Sequence, residues 1–262
     1  MKIIFIGGGN IAEAIFSQLG KTYAHILVID HNQIRANYIK QNYPHINHSF
    51  DFNITPQNDD VIFLAIKPKD VATALSNITT NNALIVSLMA GIKCATIAKY
   101  LNNDNIVRVM PNTLLQFGHG TSGIFFSPRI NSQQQDVVLK LFSTMGHNYI
   151  LKNESDINNF TAVAGSAPAY VYYLIENFID ITQQEFGFSA AEAKAITLQI
   201  FKGSVIAIEN SPQQTVSELR RKVTSPNGTT ERAINVLQEK KIDEILVQAM
   251  RSCYNRAKEL TQ

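Results

Sequence analysis

The chain has little of several things that would declare a function outright. It carries only two cysteines, Cys94 and Cys253, in 262 residues. That excludes a disulfide framework, and with no metal-ligand spacing between them both read as ordinary thiols suited to a reducing compartment. Charge of either sign is scarce as well: 23 basic residues face 21 acidic ones, a net of +2, spread without long runs. Such balance leaves no electrostatic footprint for nucleic acid or for an acidic membrane surface. No segment approaches the roughly 20 apolar residues that cross a bilayer. Lys2 followed by an apolar run superficially resembles the start of a signal peptide, but the run ends at Gly7. The six histidines (His25, His31, His45, His48, His119 and His147) are scattered and form no metal-binding cluster. Internal repeats and low-complexity tracts are also lacking. These absences describe a soluble, cytoplasmic protein whose partners are small molecules and copies of itself, with no metal, nucleic acid or membrane.

What is present begins with Ile3-Ile4-Phe5-Ile6, followed at once by Gly7-Gly8-Gly9-Asn10-Ile11-Ala12 and then a helical pattern, Ala12-Glu13-Ala14-Ile15-Phe16. A Gly-x-Gly-x-x-Ala turn between a strand and a helix is how a dinucleotide-binding fold begins. Gly7 permits the tight turn, Gly9 lets the backbone approach a pyrophosphate, and small Ala12 lets the helix pack on the strand. A second apolar run, Ile26-Leu27-Val28-Ile29, ends in Asp30, where such folds place an acidic residue toward the ribose.

To about residue 150, β-rich runs at 61–66, 84–88, 106–110 and 122–126 alternate with helical stretches near 69–78, 93–101 and 132–145. Apolar strands separated by helices predict an α/β sheet covered on both faces, with room for antiparallel members among the later strands. Beyond about residue 153 the period becomes helical and stays so, over 156–186, 189–209, 212–222, 229–239 and 241–260. The fold expected is therefore a Rossmann-type dinucleotide-binding domain over 1–152, followed by an all-helical domain over 153–262. The stretch Phe160–Ile175 is apolar on most sides, more than one face of a small helical domain needs. An isologous dimer would bury the excess; a central helix enclosed by its neighbours is the alternative.

In an open α/β sheet, ligands lie beyond the carboxyl ends of the strands. The segments there are Ala65-Ile66-Lys67-Pro68, Ser87 through Gly91, and Met110-Pro111-Asn112-Thr113. Small and polar residues with a proline-fixed turn suit a cofactor rim; Lys67 reads equally as a contact to cofactor ribose or phosphate and as a solvated loop lysine. In the helical half, the proline of Gly165-Ser166-Ala167-Pro168-Ala169-Tyr170 marks a helix start or kink. Val223 through Glu231 interrupts a helical pattern with turn formers and opens another helix. Free amides beside hydroxyl-bearing residues there form a candidate carboxylate pocket, although an interhelical loop with Thr229 or Thr230 as N-cap reads equally well.

Taken together, the Ile6–Asn10 turn, Ala65–Pro68, Ser87–Gly91, Arg108–Thr113, Gly165–Tyr170 and Thr224–Thr230 resemble pyrroline-5-carboxylate reductase along nearly the whole chain. The departures are Ala167 and Asn227 where the family usually has glycine, Leu114 where proline is common, and Arg221 where an acidic residue often stands. The resemblance implies reduction of 1-pyrroline-5-carboxylate to L-proline by hydride from NADH or NADPH, the last step of proline biosynthesis. It implies cofactor contacts at Gly7, Gly9, Asn10, Ile11, Asp30, Ala65, Lys67, Pro68, Ser87, Met110, Pro111 and Asn112. It assigns the substrate carboxylate to the backbone around Ser225, Asn227, Gly228 and Thr229, and gives Thr230 the catalytic hydrogen bond to the imine nitrogen. It further implies a homodimer through the helical domain, required for activity and compatible with larger assemblies of dimers.

Asp30 favours NADH because its carboxylate would repel the extra phosphate of NADPH, against which His31, Asn32 and Arg35 could form a phosphate pocket. A related hydroxyacid enzyme would usually carry a lysine on the first long helix of the second domain, and none occurs between Lys152 and Lys194. A dinucleotide sensor without turnover is the other alternative, motivated by Ala167, Asn227 and Arg221. No motif separates the five-membered ring from its six-membered homologue, since one methylene is worth only about 1–3 kcal/mol.

Overall fold

Alternation within the first strand sets the layering. In β1 (Ile3–Ile6), Ile3 and Phe5 face one side while Ile4 and Ile6 face the other, and all four are buried. The computed structural model of the protein describes residues 1–76 and 78–261. Its elements follow as α1 (Asn10–Leu19), β2 (Ile26–Ile29), α2 (Gln33–Asn42), β3 (Asn47–Ser49), β4 (Val61–Leu64), α3 (Val71–Leu75), β5 (Leu84–Ser87), α4 (Cys94–Leu101), β6 (Ile106–Met110), β7 (Gly120–Phe126), α5 (Ser132–Ser143) and β8 (Gly146–Ile150). The helical remainder is α6 (Asp156–Phe160), a π-helical segment (Thr161–Gly165), α7 (Ala167–Gln184), α8 (Ala190–Glu209), α9 (Val216–Lys222), α10 (Thr229–Glu239) and α11 (Ile242–Glu259).

The eight strands form one sheet in the order β3-β2-β1-β4-β5-β6-β7-β8. Pairing is parallel from β3 through to β6, antiparallel between β6 and β7, and parallel again between β7 and β8. On one face Phe5 stacks on Phe63 (centroids 4.6 Å apart) and meets the edge of Phe16 from α1, within a core that also takes Phe142 of α5. On the other face Ile4, Ile62 and Ile85 pack against Leu75 of α3 and Ile97 of α4. Burying each such side chain contributes about 1.5–3 kcal/mol, so a sheet covered on both faces is the main source of stability.

The run expected at 61–66 is shorter in the structure, because Ala65 and Ile66 leave β4 to wall the cleft described below. Strands β3 and β8 were not expected: Asn47-His48-Ser49 and Gly146-His147-Asn148-Tyr149-Ile150 lie at the two sheet edges and are largely solvent-facing or polar, so they show no apolar run. The helix expected over 156–186 is divided. The Ser166 amide reaches back five residues to the Thr161 carbonyl (2.8 Å), and Pro168 sits at the start of α7, where a missing N–H costs nothing.

Packing divides the chain into two compact units, Met1–Pro168 joined by the stretch from Ser252 onward, and Ala169–Arg251. Periodicity places the change at 152/153; compactness places it at 168/169. The reason is that Ile157 and Phe160 close a small cluster with Met110, and Phe160 lies so near Gly123 that a Cβ there would be 2.5 Å from its ring. The end of α11 returns to the first unit, where Thr261 Oγ1 donates to the Asn158 side chain (3.2 Å). Within the second unit, Phe178 of α7 meets Phe201 of α8 edge-on at 5.3 Å.

Candidate active site

In the first unit the glycine turn joins β1 to α1. Gly7 has φ +98°, and a Cβ on it would lie 2.6 Å from the Ala65 carbonyl oxygen, so a side chain is excluded by strain and by contact. Gly9 is the N-cap of α1 with no side-chain cap, and a Cβ there would meet nothing within 4 Å. The first amides of α1, among them those of Asn10 and Ile11, have no intrahelical acceptor and lie at the positive end of the helix dipole. This cradle fits a diphosphate.

Beside it opens a cleft of about 490 Å³ that gathers Gly7, Gly9, Asp30, His31, Asn32, Arg35, Phe52, Ala65, Ile66, Lys67 and Lys69. Five of the residues expected at the cofactor, Gly7, Gly9, Asp30, Ala65 and Lys67, thus line one cleft. Asp30 is already engaged: Oδ2 accepts the Gly8 amide (2.7 Å) and Oδ1 accepts the Asn32 amide (2.8 Å). Pro68 starts a 3-10 turn with Lys67 as its N-cap, which fixes the chain's direction on leaving β4.

The other residues expected at the cofactor, Asn10, Ile11, Pro68, Ser87, Met110, Pro111 and Asn112, are not among those that line this cleft. Ser87 is fully buried, its Oγ accepting the Met89 amide (3.4 Å). Met110, Pro111 and Asn112 are buried at the end of β6. Asn112 Oδ1 accepts the Leu114 amide (3.2 Å) and its Nδ2 donates to the Ala164 carbonyl (3.2 Å), tying the rim to the π segment. Gly165 keeps that segment close, since a Cβ on it would be 3.1 Å from Met110 Sδ.

Two pairings in this unit are absent from the sequence reading of the site, which names Arg35 only as part of a possible phosphate pocket. Arg108, nearly fully buried, pairs with Glu154 (3.1 Å) and donates to the Met89 carbonyl (3.5 Å). The same Glu154 oxygen accepts the Cys94 amide (2.6 Å), so one ion pair holds both ends of the Met89–Cys94 loop. At the cleft, Glu13 of α1 accepts the hydroxyls of Tyr38 and Tyr43 on Oε1 (2.8 Å each) and ion-pairs with Arg35 through Oε2. Burial by itself would push the Glu13 carboxyl up; the hydrogen bonds from Arg35, Tyr38 and Tyr43 together with the Arg35 charge outweigh it and hold the group below the ordinary carboxylate range. Partners 22 to 30 residues apart in the chain leave no local sequence signal for such a network.

In the second unit, α9 ends at Lys222 and a turn leads into α10. The Gly228 amide donates to the Ser225 carbonyl (3.0 Å), and Asn227 adopts φ +58°, a left-handed conformation that asparagine tolerates better than most residues. A Cβ on Gly228 would be 2.9 Å from the Ser225 carbonyl oxygen. The N-cap of α10 is Gly228, in place of Thr229 or Thr230, and both threonines lie in the first turn, exposed. Glu231 reaches back to accept the Asn227 amide on Oε2 (2.8 Å), a variant of the capping box. With the Asn227 and Gly228 amides engaged, the donors left for an anion are the first-turn amides of α10 and the hydroxyls of Ser225, Thr229 and Thr230. Arg221 is exposed at the end of α9.

Residues 154–260 match the model of the pyrroline-5-carboxylate reductase dimerisation domain, and residues 2–91 match that of the coenzyme F420-dependent NADP oxidoreductases. The chain is 33% identical to a pyrroline-5-carboxylate reductase of Vibrio alginolyticus, over 99% of this chain and 97% of that one. This chain belongs to the pyrroline-5-carboxylate reductase family.

Solved structures of the family agree with the fold. The Coxiella burnetii reductase superposes with a TM-score of 0.84 at 28% identity, covering 100% of this chain and 98% of that one. The Plasmodium falciparum reductase, determined with NADP bound, gives a TM-score of 0.86 at 24% identity over 100% of this chain and 98% of its own, a likeness of fold. Among the described residues, no group of three or more His, Cys, Asp or Glu side chains is placed to hold a metal ion, and no helix is long and apolar enough to cross a membrane.

Proposed function

We propose that this chain reduces 1-pyrroline-5-carboxylate to L-proline, the last step of proline biosynthesis, as an oxidoreductase acting on a C=N bond. The observation that carries the reading is that the likeness to a pyrroline-5-carboxylate reductase runs through 99% of the chain, from the glycine turn to the Thr224–Thr230 turn. Within the first unit, the Gly7–Gly9 cradle and the first amides of α1, Asn10 and Ile11 included, would hold the diphosphate of a nicotinamide dinucleotide. Asp30, Ala65 and Lys67 would line its adenosine side, while Pro68, Ser87, Met110, Pro111 and Asn112 keep the rim in shape. When bound, the reduced dinucleotide would supply the hydride for the C=N carbon, carbon 2 of the pyrroline and carbon 5 of proline, and a proton on nitrogen completes the secondary amine.

The helical unit supplies substrate binding. The carboxylate would rest on the amides of Thr229 and Thr230 at the start of α10, with the Ser225 hydroxyl beside it, while Asn227 and Gly228 set the bend that presents those donors. The Thr230 hydroxyl would donate to the imine nitrogen and make the ring a better hydride acceptor, with proton delivery from solvent. Orientation of the ring is where most of the rate would arise, because good positioning is worth up to about 7–11 kcal/mol.

We further propose that the protein is a homodimer through its helical unit, compatible with larger assemblies of dimers and with a cytoplasmic location, and that NADH is the preferred cofactor. Asp30 at the end of β2 supports that preference: its carboxylate faces the cleft where the extra phosphate of NADPH would sit.

The test is oxidation of NADH and NADPH by purified protein on addition of the racemic imine. Imine-dependent oxidation, faster with NADH, is expected. Thr230→Val should lower kcat about a hundredfold while nucleotide binding persists, the scale seen when one positioned donor is lost. Binding of both nucleotides without any imine-dependent oxidation would leave a dinucleotide sensor in place of a reductase.

A further inference from the structure

The network around Glu13 takes no part in the reduction, yet it determines what the only arginine in the cleft lining among the described residues can do. Arg35 spends its Nε–H on the Gly8 carbonyl and an Nη2 donor on Glu13. Its guanidinium also lies over the ring of Tyr38, 4.7 Å from the centroid. Both members of the pair are shielded, with side-chain exposures of 19% for Arg35 and 15% for Glu13. Moving Arg35 toward an incoming anion would leave the Glu13 carboxylate without its counter-ion in that shielded place, which is costly. Asp30 brings no compensation: it is a second carboxylate, fixed by the amides of Gly8 and Asn32. The 2′-phosphate that distinguishes NADPH from NADH brings close to two negative charges. It would arrive in a cleft whose lining also carries Lys67 and Lys69, with Asp70 beside Asp30, and whose only lining arginine among the described residues is committed to Glu13.

We propose that Glu13 is a specificity-determining residue: by pairing with Arg35 it withholds that guanidinium from a 2′-phosphate and makes the cleft select the dinucleotide lacking it. This rests on the reading of the cleft as a nicotinamide dinucleotide site. Tyr38 and Tyr43 belong to the same device, since their hydroxyls hold the Glu13 carboxylate in place.

Nucleotide binding without substrate separates the claim from turnover. Fluorescence titrations with NADH, NADPH, adenosine 5′-monophosphate and adenosine 2′,5′-bisphosphate are made on the wild-type chain, Glu13→Gln, Glu13→Asp and the double variant Glu13→Gln/Arg35→Gln. Glutamine keeps the shape and an acceptor for the two tyrosines but removes the charge. The expected result is that Glu13→Gln shifts the NADPH-to-NADH affinity ratio toward NADPH by about tenfold, with a parallel gain for the bisphosphate over the monophosphate. Glu13→Asp, whose carboxylate is drawn back by one methylene, should move the ratio the same way by less, and the double variant should lose the gain. An unchanged or opposite ratio in both single variants overturns the proposal, as does a gain that survives removal of Arg35. If neither nucleotide binds the wild-type chain, the reading of the cleft fails along with it; if both bind and the ratio does not move, only the role of Glu13 fails.

Discussion

The Cys94 thiol is pushed up to about 12, first by burial and then by the Glu154 carboxylate. At pH 8 its thiolate fraction is on the order of one in ten thousand, and the thiolate is the reactive form. A thiol reagent at pH 8 is therefore expected to leave Cys94 unmodified in the native protein and to label it on unfolding, as peptide mass mapping would show. The sign of the linkage follows from the raised value. Below about 9, where the unfolded thiol ionises, the group is neutral in both states and its contribution is fully present; as the pH rises from there toward 12 the unfolded state gains by ionising and stability falls. The midpoint of urea unfolding should drop over that window, and drop less in Cys94→Ala. Residues whose placement is local were legible in the sequence: Gly7 and Gly9 as the turn after a strand, Asp30 as the residue that ends the next one, and all three line the cleft. Glu13 and Glu154 were not, because their partners come from distant segments and nothing near them in the chain marks the pairing.

At the scale of elements, the turn from β1 to α1 is held so closely against the end of β4 that Gly7→Ala should be severe. The added Cβ would meet the Ala65 carbonyl at 2.6 Å in a backbone conformation that alanine avoids. The expected outcome is a loss of nucleotide affinity by about tenfold or more and a lower melting temperature, read by titration and by calorimetry. Gly9→Ala, with nothing within 4 Å of its Cβ, should cost little stability and still weaken nucleotide binding, because only a bound phosphate would occupy that space. Strands β1, β2, β4, β5 and β6 could be read from the sequence because burial on both faces demands continuous apolar runs. The edge strands β3 and β8 face water enough to carry polar residues, and the π segment before α7 shows itself only as a glycine and a proline inside an apolar stretch.

For the whole molecule, the helical unit exposes many large apolar side chains. Tyr173 is 65% exposed, Phe178 50% and Ile200 54%, while α8 buries only Ala193 and Thr197 and α10 buries none of its residues. Exposed apolar surface on that scale marks an association site, and residues 154–260 match a dimerisation model. Sedimentation should give a dimer, and Ile200→Asp should shift it toward monomer with loss of activity. The change from sheet to helices was legible near residue 153 as a change of period; the packing boundary at 168/169 was not, because α6 is helical in pattern and yet packs with the sheet. Hydride transfer to a cyclic imine is read out with NADH deuterated at nicotinamide carbon 4 and the racemic imine, the product being resolved by chiral chromatography and mass spectrometry. L-proline one mass unit heavier, with the deuterium on ring carbon 5 of proline, is expected when the transferred face carries the label. Absence of proline with both labelled faces and with either cofactor, or proline carrying deuterium from neither face, would contradict hydride transfer to the imine.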